Sequence, residues 1–350
     1  MTSVTMRTFP SPQIAYLSAV IMTPAEDNDT SIFDLVTYLV SQFPYLESKN
    51  FSGYSFLQTN IADPVWNSSR GLPPPLVNVY LLVMALQDTQ DPAAVDVVWN
   101  PIFAHVNVSW PRASVMKQIR TYPSFAAWFA ENKDKNPTGA DHWSGSRLVD
   151  AATLQGNATA LRDALEAMTL GDGYVLPFLL GGRGVWNAKP RGGDDSVVPA
   201  WRKAVAHISM CPLRYLPKCF PRVRYDCLRG WGVLATGFDF QPLNATARAL
   251  SIAMMEKKLS PIRALTPHMG AYMNEVGTPL LIESDYTSKE RANSKQADTF
   301  EPDFQRQFWG DNYHRLLRIK REVDPDDVLW CTPCVGNERW LEIDGRLCRR

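Results

Sequence analysis

The chain has 350 residues, enough to bury a substantial core as one large domain or two. Its 36 Lys and Arg balance 36 Asp and Glu, which removes the electrostatic case for nucleic acid or an anionic membrane surface as a partner. The 11 Trp residues suit an aromatic-lined pocket and equally a Trp-rich core.

Thr2–Thr8 alternates in strand fashion, and Gln13–Met22 reads as a second strand. Ser31–Val40 carries Phe33, Val36, Leu39 and Val40 at helical spacing, with Pro44 beyond its end. Phe51–Gln58 alternates again. Pro64 and the Leu72-Pro73-Pro74-Pro75 run then punctuate before a buried strand over Leu76–Leu86, the longest apolar run and too short to cross a bilayer. Asp91 caps a helix over Val95, Val98, Trp99 and Phe103, with Pro92 at its first position. Val106–Trp110 predicts a short strand, Phe125–Ala130 a turn or two of helix, and Ala151–Met168 one longer helix. Tyr174–Leu180 and Trp201–Ser209 read as strands, and Ala245–Leu259 as a helix. Between them Gly181–Asp195 reads as a surface loop, because no Lys-Ser/Thr follows its glycines to build a phosphate cradle. Near the C-terminus Trp309, Tyr313, Leu316, Leu317 and Lys320 share a helical stripe, with Arg315, Arg318 and Arg321 off it and Pro325 as the stop. Interleaved strands and helices with short returns predict an α+β fold, a large and mainly antiparallel sheet backed by helices.

Several chemistries lack their signatures. There is no G-x-S-x-G elbow, no H-E-x-x-H, no G-x-x-x-x-G-K-[ST] and no complete G-x-G-x-x-G, and the five histidines show no metal spacing. Of the six cysteines, Cys331 and Cys334 form a lone C-x-x-C, which argues against zinc and leaves a disulfide and a free thiol both open. Met1–Pro10 does not read as a secretory signal. Sequons nevertheless occur at Asn28, Asn50, Asn67, Asn107, Asn157 and Asn244, which hints at a glycoprotein of the secretory pathway, although Asn244 equally suits a helix N-cap.

Three stretches carry a resemblance. The first is F-W-G-x-N-Y-x-R-L-x-x-I-K from Phe308, followed by D-P, V-G-x-E-x-W and D-G-R-L-C. The second is A-L-T-P-H-M-G-A-Y-M-N-E at Ala264–Glu275, and the third is P-A-W-R-K-A-V-A-H at Pro199–His207. Together they resemble the berberine bridge enzyme-like, oxygen-dependent FAD-linked oxidoreductases related to vanillyl-alcohol oxidase, in their fungal form. The likeness is strong from about Pro199 onward and looser before it.

The resemblance implies a substrate domain over residues 1–263, built on that sheet, and a C-terminal segment over 264–350 that returns to the flavin. It implies FAD as cofactor, and as partners a small-molecule alcohol, amine or cyclising substrate and molecular oxygen, in fungal secondary metabolism. Tyr272 matches a catalytic position and Asn274, Asn312 and Tyr313 match cofactor-side positions; Tyr272 and Asn274, read as alternating on one strand, would face the ring together. Glu275 would face the other way. The family holds most of FAD in an N-terminal domain that is expected to be largely absent here, so weak FAD binding, or none, is expected of this chain alone. Two alternatives remain open, a non-catalytic remnant and a cofactor-free cyclase. Finally, Val276–Gln296 interrupts a motif that the family reads continuously as N-E-A-D, and it reads as a polar insertion or a retained intron.

Overall fold

A computed structural model of the chain describes residues 8–26, 30–65, 73–133, 145–170, 174–190, 197–211, 245–273, 303–331, 333–343 and 346–350. Seven strands form one antiparallel sheet in the order β4-β1-β3-β2-β6-β7-β5. They are β1 (Ile14–Pro24), β2 (Phe51–Ala62), β3 (Leu76–Gln87), β4 (Ser114–Tyr122), β5 (Gly145–Asp150), β6 (Tyr174–Leu179) and β7 (Ala204–Cys211). Helices α1 (Ser31–Ser41), α2 (Phe43–Ser48), α3 (Pro92–Ser109), α5 (Ala151–Gln155), α6 (Ala158–Thr169) and α8 (Ala245–Leu265) contribute to the main core on one side. The short α4 (Phe125–Asn132) covers the opposite face at the β4–β1 end, where Trp128 meets Tyr16.

Strand periodicity decides which side chains go where. Leu17, Ala19 and Ile21 of β1 point into the helices, as do Leu57 of β2 and Tyr80, Leu82 and Met84 of β3. The residues between them (Tyr16, Ser18 and Val20; Tyr54 and Phe56; Leu81 and Val83) turn the other way. We call this second side the outward face. Asp91, Ser124, Asp150 and Asn157 each cap a helix through the side chain, so four helix starts follow ordinary N-cap chemistry.

Mid-strand Pro177 on β6 offers no amide to β2, and pairing is interrupted between Gly53↔Leu179 and Leu57↔Val175. Two hydroxyls fill the gap. Ser55 Oγ donates to the Pro177 carbonyl, and Tyr80 Oη donates to Ser55 Oγ at 2.7 Å. Burial holds the Tyr80 phenol well above its ordinary value, so it stays a donor.

The C-terminal part wraps the β5 edge. The Leu148 amide donates to the Gly270 carbonyl at 2.9 Å, and the Ala271 amide to the Gln307 carbonyl at 3.1 Å. Fully buried Arg147 ties these pieces together, bonding the Thr266 carbonyl at 2.9 Å and Gln307 Oε1 at 2.6 Å. Helix α7 (Arg183–Trp186) lies between β6 and β7. Helices α9 (Phe304–Trp309) and α10 (Tyr313–Val323) follow, joined by a 3-10 turn at Gly310–Asn312, and a hairpin of β8 (Trp340–Ile343) and β9 (Arg346–Arg349) closes the chain.

Four sequence readings need correction. Val106–Trp110 is not a strand: it belongs to the last turn of α3 and the residue beyond it, because Val106 continues the buried Trp99–Ile102–Phe103 stripe at helical spacing. Ala151–Met168 is two helices, since Asn157 after Gly156 caps a new start. Trp201 lies in the 3-10 turn Pro199–Arg202, and β7 begins only at Ala204. The stripe of Trp309 and Tyr313 spans two helices, broken at Gly310, whose φ is 51°. Thr2–Arg7 of the first predicted strand and all of Val276–Gln296 lie outside the described residues.

Cys331 and Cys334 form a disulfide, and Cys348 is a free thiol. Among the described residues no cluster of metal-ligating side chains occurs, and no helix is long and apolar enough to cross a membrane.

Candidate functional site

On the outward face, aromatic side chains run across adjacent strands. Phe178 of β6 meets Tyr54 of β2 edge-on, with ring centroids 4.8 Å apart, and Phe56 at 5.9 Å. Its register partner across the next ladder is His207 of β7, whose ring lies 6.1 Å away. Trp201 and Tyr272 then close on His207 at 5.9 and 5.8 Å, and on each other at 6.0 Å. Offset and edge-to-face contacts at these distances are favoured by ring quadrupoles.

Tyr272 reaches the face because the chain rounds the β5 edge just before it. Gly270 makes that passage possible: a Cβ there would sit 2.4 Å from the Gln307 carbonyl oxygen and 3.2 Å from Ala200 Cβ. The segment is not a strand, as the sequence suggested. Residues 271 and 272 carry no regular structure and Met273 enters a 3-10 turn. The Thr266–Met269 turn breaks any extended run, with Met269 N–H bonded to the Thr266 carbonyl and Pro267 inside it. Asn274 and Glu275 lie outside the described residues.

His207 is 1% exposed, and burial pushes its pKa down to about 4, so the imidazole is neutral near pH 7. No Asp, Glu, Lys or Arg occupies an outward position on β1, β3, β2, β6 or β7 among the described residues. The charged pair on this side, Arg120 with Glu131, sits at the far β4–α4 end. Among the described residues, the strands that carry the aromatic row therefore add no charged side chain to it.

The other two predicted positions lie on the neighbouring turn. Asn312 ends the 3-10 turn that packs against Pro199; a Cβ on Gly310 would stand 3.1 Å from Pro199 Cγ, in the same short helix that carries Trp201. Tyr313 is buried, with its ring 5.9 Å from that of Trp309. Its hydroxyl donates to the Glu338 carboxylate and accepts from the Gly336 amide at 3.3 Å. Burial, and then that carboxylate, hold the phenol well above its ordinary value. The Tyr313 hydroxyl is thus committed to the V-G-N-E-R-W loop. The structure brings both Tyr272 and the Asn312 turn against the short Pro199–Arg202 turn, through Trp201 and Pro199 respectively, and it adds His207, Tyr54, Phe56 and Phe178. Alternation in Phe51–Gln58 and Tyr174–Leu180 was the available signal for the last three, but periodicity alone does not say which face stays open.

Comparison with known proteins follows this geometry. Residues 296–335 match the family described as berberine and berberine like. An uncharacterized FAD-linked oxidoreductase of Arthroderma benhamiae is 27% identical over 97% of this chain and 49% of its own length. The FAD-linked oxidoreductase apf9 of Gibberella fujikuroi is 23% identical over 100% of this chain and 52% of its own. The crystal structure of the VAO-type flavoprotein MtVAO713 from Myceliophthora thermophila superposes with a TM-score of 0.71 at 20% identity, over 97% of this chain and 51% of that one. A berberine bridge enzyme variant superposes at 0.51 with 11% identity, over 92% and 55%. The chain spans about half the length of these relatives. The C-terminal segment thus matches the berberine and berberine-like model, the chain is similar to fungal FAD-linked oxidoreductases over about half their length, and its fold is that of the matching half of VAO-type flavoproteins.

Proposed function

We propose that the chain forms the substrate side of an FAD-linked oxidoreductase, with the aromatic outward face and Tyr272 at the reacting end. The aromatic face, onto which Tyr272 is carried, is the observation that supports this reading. The residues described fit the ring end of FAD rather than its pyrophosphate. Gly181–Gly184, the Gly-rich stretch, is already committed: a Cβ on Gly181 would sit 1.9 Å from the Ala204 carbonyl oxygen, and Arg183 is held by Glu47 and Asn50. A bound flavin would accept hydride and pass the electrons to oxygen. The chain's own part is to exclude water with its aromatic row, to hold or move a substrate proton at the Tyr272 phenolic oxygen, and to support the ring through Asn274 and Asn312. Tyr313 contributes by fixing the Asn312 turn to the Glu338 loop.

Titration of the purified chain with lumiflavin, riboflavin and FAD, read by flavin fluorescence, tests this. The expected result is binding of all three within about tenfold of one another, because each good contact is worth about a factor of ten and the nucleotide end gains few. Silence from all three flavins sinks the proposal, as does FAD binding more than about a hundredfold tighter than lumiflavin.

A further inference from the structure

We propose that this chain is an N-glycoprotein, with glycans on Asn50, Asn107 and Asn157, and that the glycan on Asn107 covers an apolar ridge of α3. The inference stands apart from the function proposed above. Six of the chain's 16 asparagines open an N-x-S/T triplet, against about two expected from ordinary Ser and Thr frequencies. Asn28, Asn67 and Asn244 lie outside the described residues. The other three are exposed, and each stands in or beside a helix: Asn50 just beyond α2, Asn107 in the last turn of α3, and Asn157 at the N-cap of α6.

The side-chain geometry keeps the attachment atom open. The Asn157 carboxamide takes the Ala160 amide at 3.0 Å, and the Asn50 carboxamide takes Arg183 Nη2 at 2.7 Å. Both partners are donors, so each bond falls on Oδ1 and leaves Nδ2, the atom a glycan joins, uncommitted. In the transfer, the anomeric carbon of a polyprenyl-diphosphate oligosaccharide breaks its bond to the diphosphate oxygen and bonds Nδ2. The amide loses one proton, the polyprenyl diphosphate departs, and nothing is oxidised or reduced. The N-cap of α6 survives, since Oδ1 still accepts. The Cys331–Cys334 disulfide is an independent sign of the same compartment, because bridges persist in the oxidising lumen where N-glycans are also added. Beside Asn107, α3 turns Ala93, Val97, Pro101, Ala104 and Val108 to solvent at helical spacing, with Val97 75% and Val108 81% exposed. Asn107 borders this ridge, one position from Val108 and one turn from Ala104. A bulky, solubilising sugar at that place accounts for apolar side chains that the core leaves uncovered.

Mass spectrometry of the protein as its own cells make it tests the assignment. Endoglycosidase H leaves a single N-acetylglucosamine on each occupied asparagine. Fragment spectra should place it on Asn50, Asn107 and Asn157 in most copies, and not on Asn60 or Asn100, which are exposed but outside sequons. Ser109→Ala and Thr159→Ala each delete the hydroxyl that the transferase requires and keep the asparagine, so each should remove one glycan. Thr159→Ala also leaves the α6 cap in place. Ser109→Ala should raise the self-associated fraction severalfold in sedimentation, and adding Val97→Ser and Val108→Ser should reverse the rise; Thr159→Ala should leave it unchanged. Bare asparagine at any of the three positions in most copies overturns the assignment, and unchanged self-association of Ser109→Ala overturns the covering of the ridge.

Discussion

Ser55, Tyr80 and Pro177 form a chain of hydroxyls and carbonyl inside the sheet, and the order of donors sets the cost of cutting it. Tyr80→Phe removes one donor but leaves Ser55 bonded to Pro177, for a loss of about 1 kcal/mol. Ser55→Ala leaves both the Tyr80 hydroxyl and the Pro177 carbonyl buried without that partner, for about 2–3 kcal/mol. Urea denaturation of the two variants checks the ranking, and equal midpoints contradict it. His207 gives a second test at this scale. Its folded pKa, about 4, lies below the value near 6.5 of an exposed imidazole, so the unfolded chain takes up its proton first as pH falls. Stability is therefore unaffected above about pH 6.5 and declines between there and about 4, by up to about 3 kcal/mol. His207→Gln should flatten that acid limb, read as urea midpoints at pH 7 and pH 5. Asp150 acts in the same sense but outside this window: although burial works to raise its carboxyl, the hydrogen bonds from His268 and the Thr153 cap lower it overall, so its contribution is lost only below the ordinary carboxylate range.

At the scale of elements, the passage of the chain around β5 depends on one missing side chain. Gly270→Ala forces a methyl toward the Gln307 backbone, which must move with α9 and the Tyr272 segment. A cost of about 2–3 kcal/mol is expected, together with weaker lumiflavin binding, since Tyr272 and Trp201 shift. Calorimetry and the flavin titration report the two effects. Most of the elements were legible in residue patterns: β1, α1, β2, β3 and α4 follow period and caps, and Asp91-Pro92 marks the start of α3. Other elements were not legible, for identifiable reasons. β4 and β5 were missed because Ser114–Tyr122 mixes Lys117, Gln118 and Arg120 with apolar residues, and because Arg147 stands inward where a strand pattern expects an aliphatic residue. The helix at Tyr313–Val323 was placed on its correct face, yet Leu316 and Leu317 are only half-buried, because the stripe meets a loop rather than the main core. Tyr272 was identified by motif, but its geometry depends on Gly270, Trp201 and His207, which lie far apart in sequence.

For the whole molecule, the sheet joins segments from most of the chain, and the candidate site sits where three remote pieces meet: β2, the β6–β7 pair and the Gly270 passage. Residue patterns place each piece but not their neighbours, so the aromatic row emerges only once the strand order is known. The same topology raises a problem of assembly. β6 must find β2 across 122 residues, and extended strands match one another almost as well when slipped by two positions. Pro177 changes that balance. Slipped along β2, it would face a carbonyl that demands an amide and lose the Ser55 hydroxyl that answers its own oxygen. Correct pairing is thus marked by a residue unable to pair, which acts as a keyed joint: the strands seat in one register and are penalised in every other.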